Sequence, residues 1–230
     1  YKNINWEILS EENVKLKIEP ISKNNDFIWI LDPLDGTKDF IQGTGNYAMH
    51  LALNFKNKPY LGIVLIPEKD ELWISNSEMV WCENKNGDCK KINLSRKHNL
   101  RDMTIVTSKN HRNLTLQNLI KKVKFKEVIV MGSIGCKIAS LLRGQSDIYI
   151  CLSLPGQSSP KDWDFSAPAA ILKAAGGSIT NLDNQELTYG NSNFEQGGII
   201  VASNNNLEHE SICSEIKKII KRYDLCPEYF

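Results

Sequence analysis

The sequence predicts an α/β protein in two halves, an antiparallel sheet first and a helix-alternating sheet second. Three observations carry that expectation. Strand–turn–strand patterns fill residues 47–83, apolar strands alternate with helical segments from residue 104 to 222, and no apolar run approaches the roughly 20 residues of a membrane span.

Along the chain, Ile8-Leu9-Ser10 is an apolar approach to the adjacent carboxylates Glu11 and Glu12. Phe27-Ile28-Trp29-Ile30-Leu31 is aromatic, β-branched and short, so it predicts a buried strand stopped by Asp32-Pro33. Residues 47–54 alternate, Lys56-Asn57-Lys58-Pro59 turns, and 60–66, 71–75 and 79–83 supply further antiparallel strands. The polar stretch from Glu83 to Arg101 marks the boundary, with the break placed near residue 100. The halves are thus 1–100 and 101–230, packed as one compact unit. The second half reads as strand 104–107, helix 114–123, strand 127–131, helix 137–142 and strand 147–151. An Ala-rich helix ending at Gly176-Gly177, strand 198–202 and helix 207–222 complete it, with Asp164 at or near the N-cap of the Ala-rich helix.

With 230 residues, 41% of them hydrophobic, the chain is long enough to bury a sizeable core. A net charge of +1 without basic blocks excludes broad nucleic-acid binding and leaves room for a phosphorylated small molecule. The six cysteines, at 82, 89, 136, 151, 213 and 226, form no C-x-x-C pair, which fits reduced thiols in a cytoplasmic protein. No signal sequence or membrane span is visible.

The segment Asp32-Pro33-Leu34-Asp35-Gly36-Thr37 carries the chemistry. Pro33 fixes its own φ and holds Asp32 extended, so that Asp32, the Leu34 carbonyl and Asp35 can converge on one point. Crowded oxygen donors suit a hard cation such as Mg²⁺. Gly36 lets the backbone approach a ligand, and the N–H groups of Gly36, Thr37 and Lys38 would cradle an anion if they open a helix. Asp-Pro and Asp-Gly are also ordinary turn formers, adjacent glutamates are ordinarily solvated, and Asp164 is also explained as a helix cap. Among weaker candidates, His111 is a solvated histidine in a polar loop, and Lys137 meets a phosphate or is a surface helix lysine. Ser133 contacts a ligand or caps a helix, whereas Trp163 packs and His50 is structural.

Taken together, Ser10-Glu11-Glu12, the run Asp-Pro-Leu-Asp-Gly-Thr-Lys-Asp-Phe at 32–40, and Trp163-Asp164 before an Ala-rich helix and Gly-Gly resemble the inositol monophosphatase superfamily of metal-dependent phosphatases. Lys38, Ser108-Lys109-Asn110-His111, Gly132-Ser133-Ile134-Gly135-Cys136-Lys137, Gly144-Gln145-Ser146-Asp147-Ile148-Tyr149 and Lys161-Asp162-Trp163-Asp164 are most similar to the 3′(2′),5′-bisphosphate nucleotidase (CysQ) group. The resemblance implies an α-β-α-β-α sandwich of the sugar-phosphatase type, an antiparallel sheet followed by a mixed one. Two helices would ordinarily precede the Ser-Glu-Glu motif, and this chain, opening at Tyr1, is expected to lack them.

The resemblance also implies a reaction, hydrolysis of the 3′-phosphate of 3′-phosphoadenosine 5′-phosphate or its sulfated form. Glu11, Asp32, the Leu34 carbonyl, Asp35 and Asp164 would hold two or three Mg²⁺ ions, with Glu11 and Thr37 orienting the attacking water. Leu34, Asp35, Gly36, Thr37, Lys38, His111, Ser133, Lys137 and Asp164 would meet the substrate. The first half would thus be the metal-binding half and the second the substrate half. The implied partner is a small phosphorylated nucleotide rather than nucleic acid or membrane, and a homodimer is compatible with it. An inositol or other sugar-phosphate phosphatase, and a non-catalytic metal- or nucleotide-binding module, stay open as alternatives.

Overall fold

Two β-sheets, one from each half of the sequence, enclose a pair of helices in the computed structural model, which describes residues 7–15, 26–94, 97–109 and 113–227. The first sheet runs in chain order: β1 (Glu7–Ser10), β2 (Phe27–Asp35), β3 (Ala48–Phe55), β4 (Lys58–Ile66), β5 (Glu71–Ser75), β6 (Val80–Glu83) and β7 (Cys89–Lys90). Short helices α1 (Glu11–Lys15) and α2 (Thr37–Ile41) follow β1 and β2. The second half supplies β8 (Thr104–Ser108), α3 (Leu114–Val123), β9 (Glu127–Met131), α4 (Ile134–Leu142), β10 (Ile148–Ser153), α5 (Asp162–Ala174), β11 (Ser178–Asn181), β12 (Gly198–Ser203) and α6 (His209–Arg222). Its sheet has the order β11-β12-β10-β8-β9, parallel across β10-β8-β9 and antiparallel across β10-β12-β11.

Two sequence expectations change here. The first sheet is not wholly antiparallel, because β1 pairs parallel with β2, Glu7 opposite Ile28 and Ser10 opposite Leu31. A parallel neighbour cannot be reached by a tight turn, and sixteen sequence positions separate β1 from β2. The strand begun at Phe27 also does not stop at Asp32-Pro33. It continues to Asp35 through an irregularity in its pairing with β3. The Lys56-Asn57 turn forms as expected, with both residues at positive φ, 49° and 62°, as a tight two-residue hairpin requires.

The alternation of each strand explains the layers. Ala48, Ala52, Val64, Ile66 and Trp73 are buried from the inner face of the first sheet, where they join α4, α5 and the inner residues Val106, Tyr149, Ile200 and Ala202 of the second sheet in one core. Helix α5 is apolar around much of its circumference, as a helix between two sheets must be. It comes very close to β4. A Cβ at Gly62 would stand 2.6 Å from the Ala170 Cβ and 2.7 Å from the Ala167 carbonyl, so only glycine there lets the helix sit so near. The opposite face of the second sheet packs Ile105, Ile148, Ile150 and Val201 against Leu116 and Leu119 of α3 and Ile212 and Ile216 of α6. On the outer face of the first sheet, Leu51 lies opposite Ile63 and Ile63 opposite Ile74, all half-exposed.

One buried polar group ties α6 to the second sheet. His209 Nδ1 lies 2.8 Å from Ser203 Oγ of β12 and its Nε2 lies 2.8 Å from Thr180 Oγ1 of β11. A neutral imidazole offers one donor and one acceptor, which two hydroxyls can match. Burial pushes its pKa down from 6.5 to about 4, so the unfolded chain binds the proton more readily. Stability from this group is therefore complete above about pH 6.5 and is lost as pH falls towards 4, amounting to roughly 3 kcal/mol. Urea unfolding of wild type and His209→Asn between pH 7 and 4 checks this. The stability difference between the two should shrink by roughly that amount on acidification, and a pH-independent difference would contradict it.

Candidate active site

Residues 32 and 35 are an odd number of positions apart, so a regular strand would project their side chains from opposite faces. The register steps by one residue between them: Asp32 lies opposite His50, but Asp35 lies opposite Ala48. The extra residue is absorbed around Pro33-Leu34 as a β-bulge, which turns both carboxylates to the inner side of the sheet. Local bonds hold it in place. The Leu34 N–H donates to Asp32 Oδ1 at 3.0 Å, and the Thr37 hydroxyl donates to the Leu34 carbonyl at 3.2 Å. Gly36 then caps α2 at φ 91°, with the space a Cβ would need blocked by the Asn46 carbonyl at 2.9 Å.

The third carboxylate arrives on α5. That helix starts at Asp162, earlier than expected, and Asp164 is its third residue, near the N-cap Lys161. The Lys161 N–H donates to Asp164 Oδ2 at 2.6 Å, fixing the side chain against the first turn. Below it, the fully buried Asp162 accepts from the Gly190 N–H at 2.7 Å and from Gln196 Nε2 at 2.6 Å, anchoring the loop before β12. One oxygen from each of Asp32, Asp35 and Asp164 lies within 4.8 Å of the others.

Asp35 is the best-held member. Its Oδ2 accepts from Ser133 Oγ at 2.8 Å, the Ile134 N–H at 2.5 Å and the Gly135 N–H at 3.4 Å, all at the start of α4. Ser133 caps α4 through the Cys136 N–H and sits at φ 32°, a strained conformation for a residue with a Cβ, costing on the order of 1–3 kcal/mol. His50, fully buried, brings Nε2 to 3.4 Å from Asp35 Oδ2 while its Nδ1 faces the Trp163 carbonyl at 3.3 Å. Burial lowers the pKa of this imidazole, although Asp35 pulls the other way.

Asp32 and Asp164 have less help. Burial raises the pKa of Asp32 strongly, and the charges of Asp35 and Asp164 raise it further. Burial and then Asp35 raise Asp164 in the same direction. Among the described residues no lysine or arginine ion pair relieves either group. Three hard oxygen donors crowded in a largely apolar interior, with Lys137 the one nearby cation that acts on Asp164 and no ion pair on Asp32 or Asp164 among the described residues, suit a divalent cation.

The cluster opens on a cavity of about 790 Å³. Glu11, Asp35, Gly36, Thr37, Lys38, Ser133, Lys137 and Asp164 line it, whereas Asp32 is buried beneath. Glu11 is outside the tight trio, yet its charge still raises Asp32 and Asp164. His111 lies outside the described residues. Lys137 is no surface lysine: it is 3% exposed, its Nζ donates to the Ser133 carbonyl at 3.2 Å, and burial lowers its pKa despite Asp35. Tyr149, Cys151 and Lys161 also line the cavity, and His50, read from the sequence as structural, touches Asp35; sequence reasoning made none of the four a site residue. The only signal for His50 was its polarity amid the apolar residues of β3. No helix among the described residues is long and apolar enough to cross a membrane.

The inositol monophosphatase family matches residues 5–221. The chain is 33% identical over 174 residues to the 3′(2′),5′-bisphosphate nucleotidase CysQ of Buchnera aphidicola, covering 76% of this chain and 60% of that protein. It is 27% identical over 161 residues to CysQ of Escherichia coli K12, covering 70% and 61%. The chain thus spans about 60% of the length of these curated relatives. Among solved structures, it superimposes on the inositol monophosphatase of Anabaena with a TM-score of 0.74 at 22% identity, covering 93% of this chain and 79% of that one. CysQ of Bacteroides thetaiotaomicron superimposes with a TM-score of 0.70 at 23% identity, covering 88% and 78%. A family match over nearly the whole length, on a fold and a carboxylate cluster of this kind, places the chain in the inositol monophosphatase family.

Proposed function

We propose that the chain carries the active site of a Mg²⁺-dependent phosphatase that removes the 3′-phosphate of 3′-phosphoadenosine 5′-phosphate, or of its sulfated form, to leave the 5′-nucleotide and phosphate. The observation that carries the reading is one cavity that joins a carboxylate trio to the buried amine of Lys137. The first suits cations that hold a scissile phosphate, and the second suits a further anionic group. The nucleotidase names of the curated relatives support the choice of substrate.

Asp32, Asp35, Asp164, the Leu34 carbonyl and Glu11 would hold two or three ions. When bound, Mg²⁺ supplies charge neutralisation and an acidified water for in-line displacement. The protein does the positioning. Thr37 donates its hydroxyl hydrogen to the Leu34 carbonyl, so its oxygen is left to accept a hydrogen bond from the attacking water and orient it, with Glu11 as a second acceptor at the cavity wall. The N–H groups opening α2, from Gly36 to Lys38, would take phosphate oxygens. The Lys161 N–H holds Asp164 rigid, and Ser133, Ile134 and Gly135 do the same for Asp35. Preorganisation of this kind is where most of the rate in phosphoryl transfer comes from.

Phosphate release from 3′-phosphoadenosine 5′-phosphate, inositol 1-phosphate and fructose 1,6-bisphosphate tests the reading directly. The nucleotide should give the highest kcat/KM, and a preference for inositol 1-phosphate would replace it with the sugar-phosphate alternative. Asp35→Asn should reduce Mg²⁺-dependent turnover by at least about a hundredfold while leaving the circular dichroism spectrum unchanged, since it exchanges a charged ligand for a neutral isostere. Full activity at saturating Mg²⁺ would remove Asp35 from the ligand set. Lys137→Met keeps the buried stem and deletes the charge. It should raise KM for the bisphosphorylated nucleotide about ten- to a hundredfold and leave that for inositol 1-phosphate little changed, as expected for one charge-assisted contact. Equal losses on both substrates would assign Lys137 to the scaffold.

A further inference from the structure

His50 stands where the elements that build the carboxylate cluster meet. It lies on β3 directly opposite Asp32 of β2, so the two side chains share the inner face of the sheet. Its Nε2 is 3.4 Å from Asp35 Oδ2, on the far side of the bulge in the same strand. A Cβ at Gly135 would come within 2.3 Å of Nε2 and 3.0 Å of Cδ2, so the start of α4 packs on the ring edge as only a glycine allows. From α5, the carbonyl of Trp163, the residue before Asp164, lies 3.3 Å from Nδ1. Nε2 makes no hydrogen bond among the described residues, so Nδ1 makes the directed contact. A carbonyl can only accept, which puts the hydrogen on Nδ1 as the donor to Trp163.

That donation falls where α5 is held least by its own backbone. Pro168 lies inside the helix and has no N–H, so the Asp164 carbonyl lacks the donor that would ordinarily tie the first turn to the second. The Lys161 N–H holds the Asp164 carboxylate, but Lys161 is the N-cap of the same helix and moves with it. Asp162 anchors this end to Gly190 and Gln196, not to the first sheet. The other side-chain bond from α5 to β3, Ser166 Oγ to Asn54 Oδ1 at 2.5 Å, meets the strand four positions beyond His50. His50 is thus the tie from the first sheet that lies beside Asp164.

We propose that His50 is a positioning residue of the metal centre: a strut from the first sheet that fixes where α5 presents Asp164 to Asp32 and Asp35, and so sets the affinity for the divalent cation. The inference rests on reading these carboxylates as cation ligands. A cation held between ligands from two elements is bound no more firmly than those elements are fixed to each other, and a single N–H that orients a ligand from behind has a large effect on metal affinity.

Calorimetric titration of the metal-free chain with Mn²⁺, which takes the same oxygen donors as Mg²⁺, reads this without turnover. His50→Leu, of similar bulk but with no donor, should weaken binding about ten- to a hundredfold. His50→Asn places an amide at about the depth of Nδ1 and should restore most of that affinity, whereas His50→Gln, whose amide lies further out, should not. A purely structural role would lower the melting temperature of the variants and leave the affinity for Mn²⁺ at its wild-type value, which would overturn the proposal. Should His50→Leu fail to fold, Asn against Gln decides: the Asn variant must bind the tighter, and equal affinities would overturn the tie through Nδ1. A wild type that binds no Mn²⁺ would overturn the metal reading and this inference together, whereas a wild type that binds it no more tightly than His50→Leu overturns this inference alone.

Discussion

Everything near the cavity is arranged around one unfavourable demand, that three carboxylates stand within 4.8 Å of one another in a largely apolar interior. Left alone, such groups would take up protons, and burial and mutual repulsion do push Asp32 and Asp164 that way. The backbone supplies the opposing force. Two N–H groups and a hydroxyl from the start of α4 converge on Asp35, one N–H holds Asp32, and one holds Asp164. The donors come from three elements, β2, α4 and α5, so the cluster can exist only when all three are docked. The strained φ of Ser133 fits the same pattern: a local cost tolerated because its hydroxyl reaches two partners, Asp35 and the α4 backbone.

How far the sequence foretold this depends on which force shaped each element. Strands with strong periodicity, such as β3, β4 and β5, are legible because burial on one face dictates their pattern. β1 is not, since four residues carry too little pattern and its parallel pairing comes from a crossover the local sequence does not encode. The bulge in β2 was half legible. Pro33 announces a disturbance, but the partner residues His50 and Ala48 lie on β3 and only pairing reveals that the register slips. Asp164 shows the same limit on a smaller scale, as helix starts are set by capping partners and Lys161 is not a residue type that advertises a cap.

Side-chain environment was the least legible layer. Lys137 follows Cys136 in a segment that reads as equally suited to the surface or to a ligand, and only the packing of α4 between the sheets shows it buried above Tyr149 with its ammonium 5.4 Å from the ring centroid. His50 is comparable: its alternation within β3 places it on the inner face, and nothing local says that Asp35, brought round by the bulge, will be its neighbour. Tertiary proximity made both residues interesting, and proximity between different elements is what one sequence conveys least.

The fit of α5 on β4 has a consequence for how the chain is made. From β2 to β7 the first sheet is a meander of sequential neighbours and can form from local contacts. Its inner face is finished by Ala170 against Gly62, 108 positions away (170 − 62). At synthesis rates of about 5–20 residues per second, roughly 5–20 s pass between emergence of the two segments from the ribosome. For that interval Ala52, Val64, Ile66 and Trp73, all fully buried in the finished protein, have no helix to lie against. Nascent chains of this protein therefore present an unfinished apolar sheet face whose covering helix arrives late.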